Sequence, residues 1–562
     1  MESTLHSRHI PREHLDFSVS TARAVEANGL CGVLEGDMPA RLLERGISVI
    51  ETRFTWYEAG DPASPDLSML ERRIAAIEKA GLQPGLFCWL QYPPEGYGDI
   101  LFLRCLEHGE GSSIASLWDP RLLKAYDDIM NSISARFGAR LRFLYVGIFG
   151  DYGEVCFPGG VRHYRFSPRH GHRGLWCADQ AAQADFRAWL QERYGSLPPL
   201  CEAWETEIES WESDLMPALP LELCTRRRQI DFMLWYTGSI TRFCGAVCAL
   251  AEKHFPGLRK GLPIGFVDEP LEVGQWKSEI VRTAAAFGMT ARWTGMGFLK
   301  DFARSDVPAK RISCAARFYG TSFGTEAALV LERENAGNAA YECIANQSVL
   351  IHNDPGNVLR GGELWQELIR HMRLSPPIQT TGVYWPVEGE MLSLLDPGEE
   401  TQKFDDDDGV CGSGEEPPSA VNALILRCAA LRRRMDYAIF DTPMVEHGFL
   451  AGLERVLFLI SCPVPETVCR AIEEFEQAGG EVWRISGVRL TVLESDRIWK
   501  TPKMRTTDEI PAPEEFQTLR RRYDREERRY FTIHRDFVSC FDPLAAAAGD
   551  AEAAVRYYTI EE

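Results

Sequence analysis

From about residue 20 to 375 the chain alternates short apolar runs with longer stretches of helical periodicity, and this alternation restricts the fold more than any other feature. Each apolar run followed by an amphipathic segment reads as a βα unit. Ser48–Phe54 is a strand and Leu70–Ala80 the helix behind it, ended by Gly81 with Pro84 beyond. Gly85–Leu90, the helix Pro120–Phe137 and the strand Leu141–Ile148 continue the series. Leu262–Val267, Met289–Trp293, a stretch around Thr321–Leu331 and Val349–His352 supply later strands. With one more strand near the N-terminus there are about eight units, and parallel strands joined by helices over this length close into a (β/α)8 barrel, the TIM-barrel α/β class.

The pattern breaks at residues 396–418, where Asp405–Asp408 and a set of Gly and Pro residues form an acidic, turn-rich stretch. Beyond it Tyr437–Asp441, Arg455–Ile460, a helix Pro465–Gln477 and Gly479–Ile485 make a small Rossmann or flavodoxin-like α/β unit. No Gly-rich phosphate loop follows its first strand, so no nucleotide or flavin is expected there. The expected division is a barrel over 1–385, an acidic Gly/Pro-rich connection over 386–418, a flavodoxin-like domain over 419–500 and a C-terminal segment over 501–562. That last segment holds a charged helix, Pro513–Arg529, and a closing strand, Tyr530–Ile533.

The 61 Lys and Arg residues face 82 Asp and Glu, and a net charge of −21 repels nucleic acid and anionic lipid. No apolar segment reaches the length of about 18 residues that a membrane helix needs. The first residues, Met1–His6, lack the basic and apolar stretches of a secretory signal, so a cytoplasmic protein is expected. The 16 Cys sit in apolar contexts such as Phe87-Cys88-Trp89 and read as buried thiols, with no zinc-knuckle spacing among them.

Reacting groups of a βα barrel come from the C-terminal ends of its strands. That rule selects Gly150-Asp151-Tyr152-Gly153-Glu154, directly after the strongest strand. A Glu fixed in such a turn against aromatic rings would be partly desolvated, which raises its pKa and suits it to donate a proton. Other predicted strand ends carry Arg53, Trp56 and Tyr57, then Trp89 and Tyr92, then Trp293. Aromatic platforms combined with carboxylates and Arg suit a sugar ring, so Arg53, Trp56, Trp89, Asp151, Tyr152 and Trp293 are candidate substrate contacts. His352 and Asp354 follow the eighth strand in a loop, Ile351–Asn357, that is expected to meet substrate hydroxyls, with a structural turn as the alternative. His163, His170 and His172 follow Glu154, but no Cys or carboxylate beside them gives a ligand spacing, so no metal is expected.

Phe54-Thr55-Trp56-Tyr57-Glu58, Gly150–Glu154 and above all Phe186–Leu197 followed by Leu200–Thr206 resemble the family 42 β-galactosidases and their clan A relatives. In those enzymes a helix ending in Tyr-Gly precedes a Leu-Asn-x-Ala-Trp-Gly-Thr segment. The region after the acidic stretch resembles their trimerisation domain. Two positions depart from the pattern. Gly153 stands where clan A has Asn before the acid/base Glu, a Gly-Glu pair that resembles the β-amylases, and Cys201 replaces the Asn of Leu-Asn. The resemblance implies a retaining exo-β-glycosidase for β-galactoside-like or related oligosaccharides, without metal or organic cofactor and self-associating as a dimer or trimer. It also implies an acid/base Glu after strand four, which Glu154 fits, and a nucleophile Glu after strand seven. Glu326 takes that place if the strand is Thr321–Thr325, and Glu332 if it is Ala327–Leu331; Glu334 is a helix-start acid. The alternatives are a sugar-binding protein on a decayed barrel, or an inverting or transglycosylating relative.

Overall fold

The computed structural model describes residues 16–20, 34, 36–94, 97–98, 100–159, 170, 172, 174–265, 271–296, 302–327, 333–353, 364, 367–368, 372–392, 419–512, 514 and 529–559. Eight parallel strands close into a barrel: β1 (Asp16–Ser20), β2 (Val49–Thr55), β3 (Gln83–Trp89), β4 (Phe143–Tyr145), β5 (Lys260–Ile264), β6 (Thr290–Met296), β7 (Phe323–Ala327) and β8 (Ser348–Asn353). Each pairs with the next in sequence, and β8 returns to β1. The helix Ser68–Lys79 shows how the outer layer is seated: Leu70, Ile74 and Ile77 recur at helical spacing and are buried. Among the described residues no helix is long and apolar enough to cross a membrane.

Strand β4 is shorter than its apolar run because the chain doubles back after it. The Val146 amide still donates to the Gly261 carbonyl at 2.9 Å, but the next rung, Val155 to Pro263 at 3.1 Å, comes from beyond the turn. The register with β5 is therefore completed by the segment that carries Glu154. An antiparallel hairpin, Phe102–Arg104 with Gly111–Ala115, is inserted after β3.

The segment 186–206 forms two helices, Gln180–Tyr194 and Leu197–Trp204, packed on the long helix Arg226–His254. Its Tyr194 hydroxyl and Trp204 indole both donate to the buried Asp231 carboxylate, which Arg193 and Arg227 also approach, at 3.1 and 3.2 Å. The Glu58 carboxylate likewise receives a bidentate Arg73. These motifs brace the barrel wall.

The second sheet runs β10-β9-β11-β12-β13, all parallel, with β9 Thr381–Tyr384, β10 Ala438–Phe440, β11 Arg455–Phe458, β12 Glu481–Ile485 and β13 Arg505–Thr507. This is the flavodoxin order. Its first strand, an interior one, precedes the acidic stretch, so the boundary expected at 385 falls at the end of that strand, and β13 lies past the boundary expected at 500. A three-stranded antiparallel sheet, β14 Tyr530–Ile533, β15 Phe537–Phe541 and β16 Val555–Thr559, closes the chain. The predicted helix Pro513–Arg529 lies outside the described residues except at positions 514 and 529.

The three parts meet at Arg432. Fully buried, it donates to Asp306 of the barrel helix Phe302–Tyr319 at 3.0 Å, to the Phe531 carbonyl at 2.8 Å and to the Thr532 hydroxyl at 2.9 Å. Beside it Lys310 pairs with Asp436 at 2.7 Å. Removing one member leaves an uncompensated buried charge. Arg432→Met is therefore expected to lower unfolding stability by about 3–5 kcal/mol in urea titrations, whereas a loss below about 1 kcal/mol would mean the joint does not depend on it.

Burial pushes the Glu342 carboxyl up to about 8, with Asp306 adding a like charge and a hydrogen bond from Ser305 opposing both. A carboxyl raised in the folded state binds more protons there than in the unfolded chain, so its stabilisation is present at low pH and lost as pH rises through that value. Glu342→Gln should flatten the decline of melting temperature from about pH 5 to 8; an unchanged slope would assign the decline to other groups.

Candidate active site

Alternate residues of a barrel strand turn toward the axis, and the register decides which of them meet. Thr294 of β6, Glu326 of β7 and His352 of β8 are direct neighbours across the ladder. The Glu326 carboxylate forms an ion pair with Arg292, accepts from the Thr294 hydroxyl at 3.3 Å and lies 3.6 Å from Nδ1 of His352. On its other edge, Nε2 of His352 is 2.9 Å from the carboxylate of Glu51 on β2. The His352 ring packs on Tyr145 of β4 with centroids 4.7 Å apart. Arg292 stands 5.2 Å from the Tyr145 ring and 5.9 Å from that of Phe87 on β3. Contacts between opposite walls of the barrel show that these side chains fill its axis.

Glu154 reaches the same region from the turn after β4. Its carbonyl accepts from the Phe149 amide at 3.1 Å, and the Gly153 carbonyl from the Ile148 amide at 2.8 Å, so the turn folds back on its own strand. Gly153 has φ +82°, and a Cβ there would lie 3.0 Å from both Phe87 and Trp89. The Asn of the clan A pattern would not fit at this position without displacing those rings. Glu154 is 3% exposed and lies beside Gly265, the position following β5. Burial draws the Arg292 guanidinium below its ordinary value, and Tyr145, Glu154 and Glu51 each act to hold its charge. One buried cation thus joins Glu154 electrostatically to Glu326.

The other predicted residues divide. Arg53 lies over the Trp89 ring at 4.2 Å, and Tyr152 meets the same ring edge-on at 5.8 Å, an aromatic and cationic wall beside Glu154. Asp151 is buried, its carboxylate accepting from the Gly159 amide at 2.6 Å, which holds the loop. Trp56 and Trp293, expected to contact substrate, are fully buried instead. The Trp56 indole donates to the Gly60 carbonyl at 3.0 Å, and Trp293, between the axial Arg292 and Thr294, is carried to the helical side of β6 by strand alternation. His352 sits on β8 itself rather than in a loop. Glu332, Asp354 and His163 lie outside the described residues. Glu51, Tyr145, Arg292 and Thr294 join this group without any local motif of their own. The available signal was alternation: Glu51 and Arg53 share one face of β2, as Arg292 and Thr294 share one face of β6.

Two of the histidines after Glu154 join a second cluster. Sγ of Cys105 is 3.3 Å from His170 and 3.6 Å from His108, and the three rings of His108, His170 and His172 lie 4.8 to 5.1 Å apart. All four ligand atoms fall within 4.8 Å of one another. Spacing along the chain hid this set, because Cys105 and His108 come from the hairpin after β3 and the other two from the loop after β4. One thiolate and three imidazoles form a donor set of tetrahedral Zn2+ sites, so these residues could hold such an ion.

Residues 169–260 match the family model Glyco_hydro_42, described as Beta-galactosidase. Among curated proteins, none matches the sequence. Solved structures are similar in fold at low identity. The catalytic domain of a β-amylase from Paenibacillus polymyxa is 17% identical with a TM-score of 0.53, covering 64% of this chain and 98% of its own. A β-galactosidase from Rahnella sp. R3 is 14% identical with a TM-score of 0.60, covering 88% and 74%. A catalytic mutant of the GH42 β-galactosidase Gan42B from G. stearothermophilus is 12% identical with a TM-score of 0.61, covering 88% and 75%. The chain is therefore similar to family 42 glycoside hydrolases in sequence over one segment and in fold over most of its length.

Metal analysis tests the Cys105 cluster. The purified protein is expected to carry about one Zn2+ per chain, and Cys105→Ala or His170→Ala to lose it together with part of the melting temperature. Metal-free protein of undiminished thermal stability would leave the four side chains a hydrogen-bonded group only.

Proposed function

We propose that the protein is a glycoside hydrolase acting on β-galactoside-like or related oligosaccharides from one end, with Glu154 as acid/base and Glu326 as nucleophile. The observation that carries this reading is the common surrounding of the two carboxyls, since Arg292 pairs with Glu326 and also feels Glu154. In the first step Glu326 attacks the anomeric carbon while Glu154 passes its proton to the leaving oxygen. In the second, Glu154 takes a proton from the water that opens the glycosyl ester, and both groups return to their starting states. Tyr152, half-buried, would offer its ring face to the apolar side of the sugar with the buried Trp89 behind it, and Arg53 would offer donors to its hydroxyls.

Among the two acids considered for the nucleophile, Glu326 is favoured because its contacts with Arg292, Thr294 and His352 all direct it to the barrel axis. Retention of configuration is the expected outcome. A panel of aryl glycosides should identify the sugar. Glu154→Gln is expected to slow hydrolysis of unactivated substrates by roughly 10²–10⁴-fold, with a smaller loss on substrates whose leaving group needs no proton. A 2-fluoro sugar should label Glu326, as peptide mapping would show. Wild-type turnover in Glu154→Gln, a label on another residue, or inverted product would each overturn the corresponding role.

A further inference from the structure

The chain that follows β5 returns to the barrel beside Glu154. Its Val273 carbonyl accepts from the Phe157 amide at 2.8 Å, which ties it to the segment that carries Glu154. Gln275 comes two residues later, just before the helix Lys277–Ala286, and is 2% exposed. The point where a Cβ on Gly265 would sit is 3.0 Å from Nε2 of Gln275 and 3.4 Å from both Cβ and Cγ of Glu154, so the carboxamide and the acid border the same space. Nζ of Lys277 donates to Oε1 of Gln275 at 3.1 Å. An ammonium only donates, so the carboxamide must give it the oxygen and point its NH2 group elsewhere. That Nε2 is buried and has no hydrogen-bond partner among the described residues. A buried donor left unmade is costly, and a ligand oxygen would recover the loss.

The same segment is gripped from the second domain. Asp441, directly after β10, accepts from the Trp276 indole at 3.1 Å and from the Ser278 hydroxyl at 2.6 Å. These two donors flank Lys277, and the first of them is the neighbour of Gln275. We propose that Gln275 is a substrate-contact residue, its amide donating to a sugar hydroxyl next to the bond that Glu154 protonates, and that Asp441 is the positioning residue that holds it there. This rests on the acid/base reading of Glu154 given above. A hydrogen bond to a hydroxyl beside the anomeric carbon strengthens as oxocarbenium character develops, so a fixed donor contributes more in the transition state than in the ground state. No proton is transferred at Gln275. The flavodoxin-like domain thereby supports the reaction through a side chain that touches no substrate.

Gln275→Ala is expected to lower kcat/KM on a disaccharide roughly 10- to 10²-fold, and Gln275→Met, which keeps the volume without the donor, by a similar factor. The ratio of wild type to variant should return toward one on a substrate that lacks the hydroxyl. That substrate is an aryl glycoside if the hydroxyl belongs to the leaving sugar, and a 2-deoxy glycoside if it is the 2-hydroxyl. Equal losses on all three substrates, or none, would overturn the contact and leave an amide satisfied by water only. Asp441→Ala should reproduce the loss, and Asp441→Asn, which still accepts, should recover most of it. Asp441→Ala added to Gln275→Ala should cost little beyond Gln275→Ala alone, and fully additive losses would overturn the positioning role. Calorimetric titration with lactose in the Glu154→Gln background reads the contact without turnover: adding Gln275→Ala should weaken binding severalfold. Binding of lactose that depends on Gln275 in a protein whose wild type cleaves no glycoside would overturn the proposed function alone. An active wild type matched by Gln275→Ala and Gln275→Met would overturn this inference alone.

Discussion

A guanidinium sealed inside a barrel has lost its water, and the fold must return the lost stabilisation from anions and ring faces within a few ångströms. Arg292 imposes that requirement on most of the barrel. Glu326 from β7 meets it directly, Glu51 from β2 and Glu154 from the turn after β4 contribute through the field, and Tyr145 and Phe87 present their rings. Strand β5 makes room by carrying little: a Cβ on Gly261 would lie 3.0 Å from the Phe143 ring, and one on Gly265 3.4 Å from the Glu154 side chain. The crowded axis of the other strands and the bare axis of β5 are two sides of one packing solution.

The barrel was legible because its signal is long and local. Seven of the eight strands coincide with apolar runs, and the ends differ by a few residues where turns compete with the ladder. The position of Glu154 in the turn after β4 was legible for the same reason, since it follows a strong strand signal. What escaped was the tertiary arrangement. Trp293 reads as a better sugar contact than Arg292 in a one-dimensional list, yet one step along a strand exchanges axis for helix layer, and the axial position belongs to the arginine. Glu51 lies in a strand where Thr52, Arg53 and Thr55 are polar too, so nothing local marks it as the anchor of His352. The Cys105 cluster joins loops that only the closed barrel brings together.

The segment most specific in its likeness to known enzymes packs on the long helix Arg226–His254 rather than on the barrel axis. Phe186–Thr206 surrounds Asp231 with Tyr194, Trp204 and Arg193, to which Arg227 is added from Asp231's own helix, and this fixes one helix layer to another. A buried carboxylate with that many donors is costly to leave unpaired, so each of them contributes to holding the helices in place. The reacting groups have to be argued from the axis itself.

Strand β9 is reached before the acidic stretch, while both of its partners, β10 and β11, come after it. The barrel therefore ends with a strip of backbone whose hydrogen-bonding edges stay open until the later residues arrive. A nascent chain halted within the acidic stretch would expose that strip as a template for other strands. The two large units are stitched together by this order of synthesis, so neither can be cut away along the connection without leaving an unfinished sheet on the barrel.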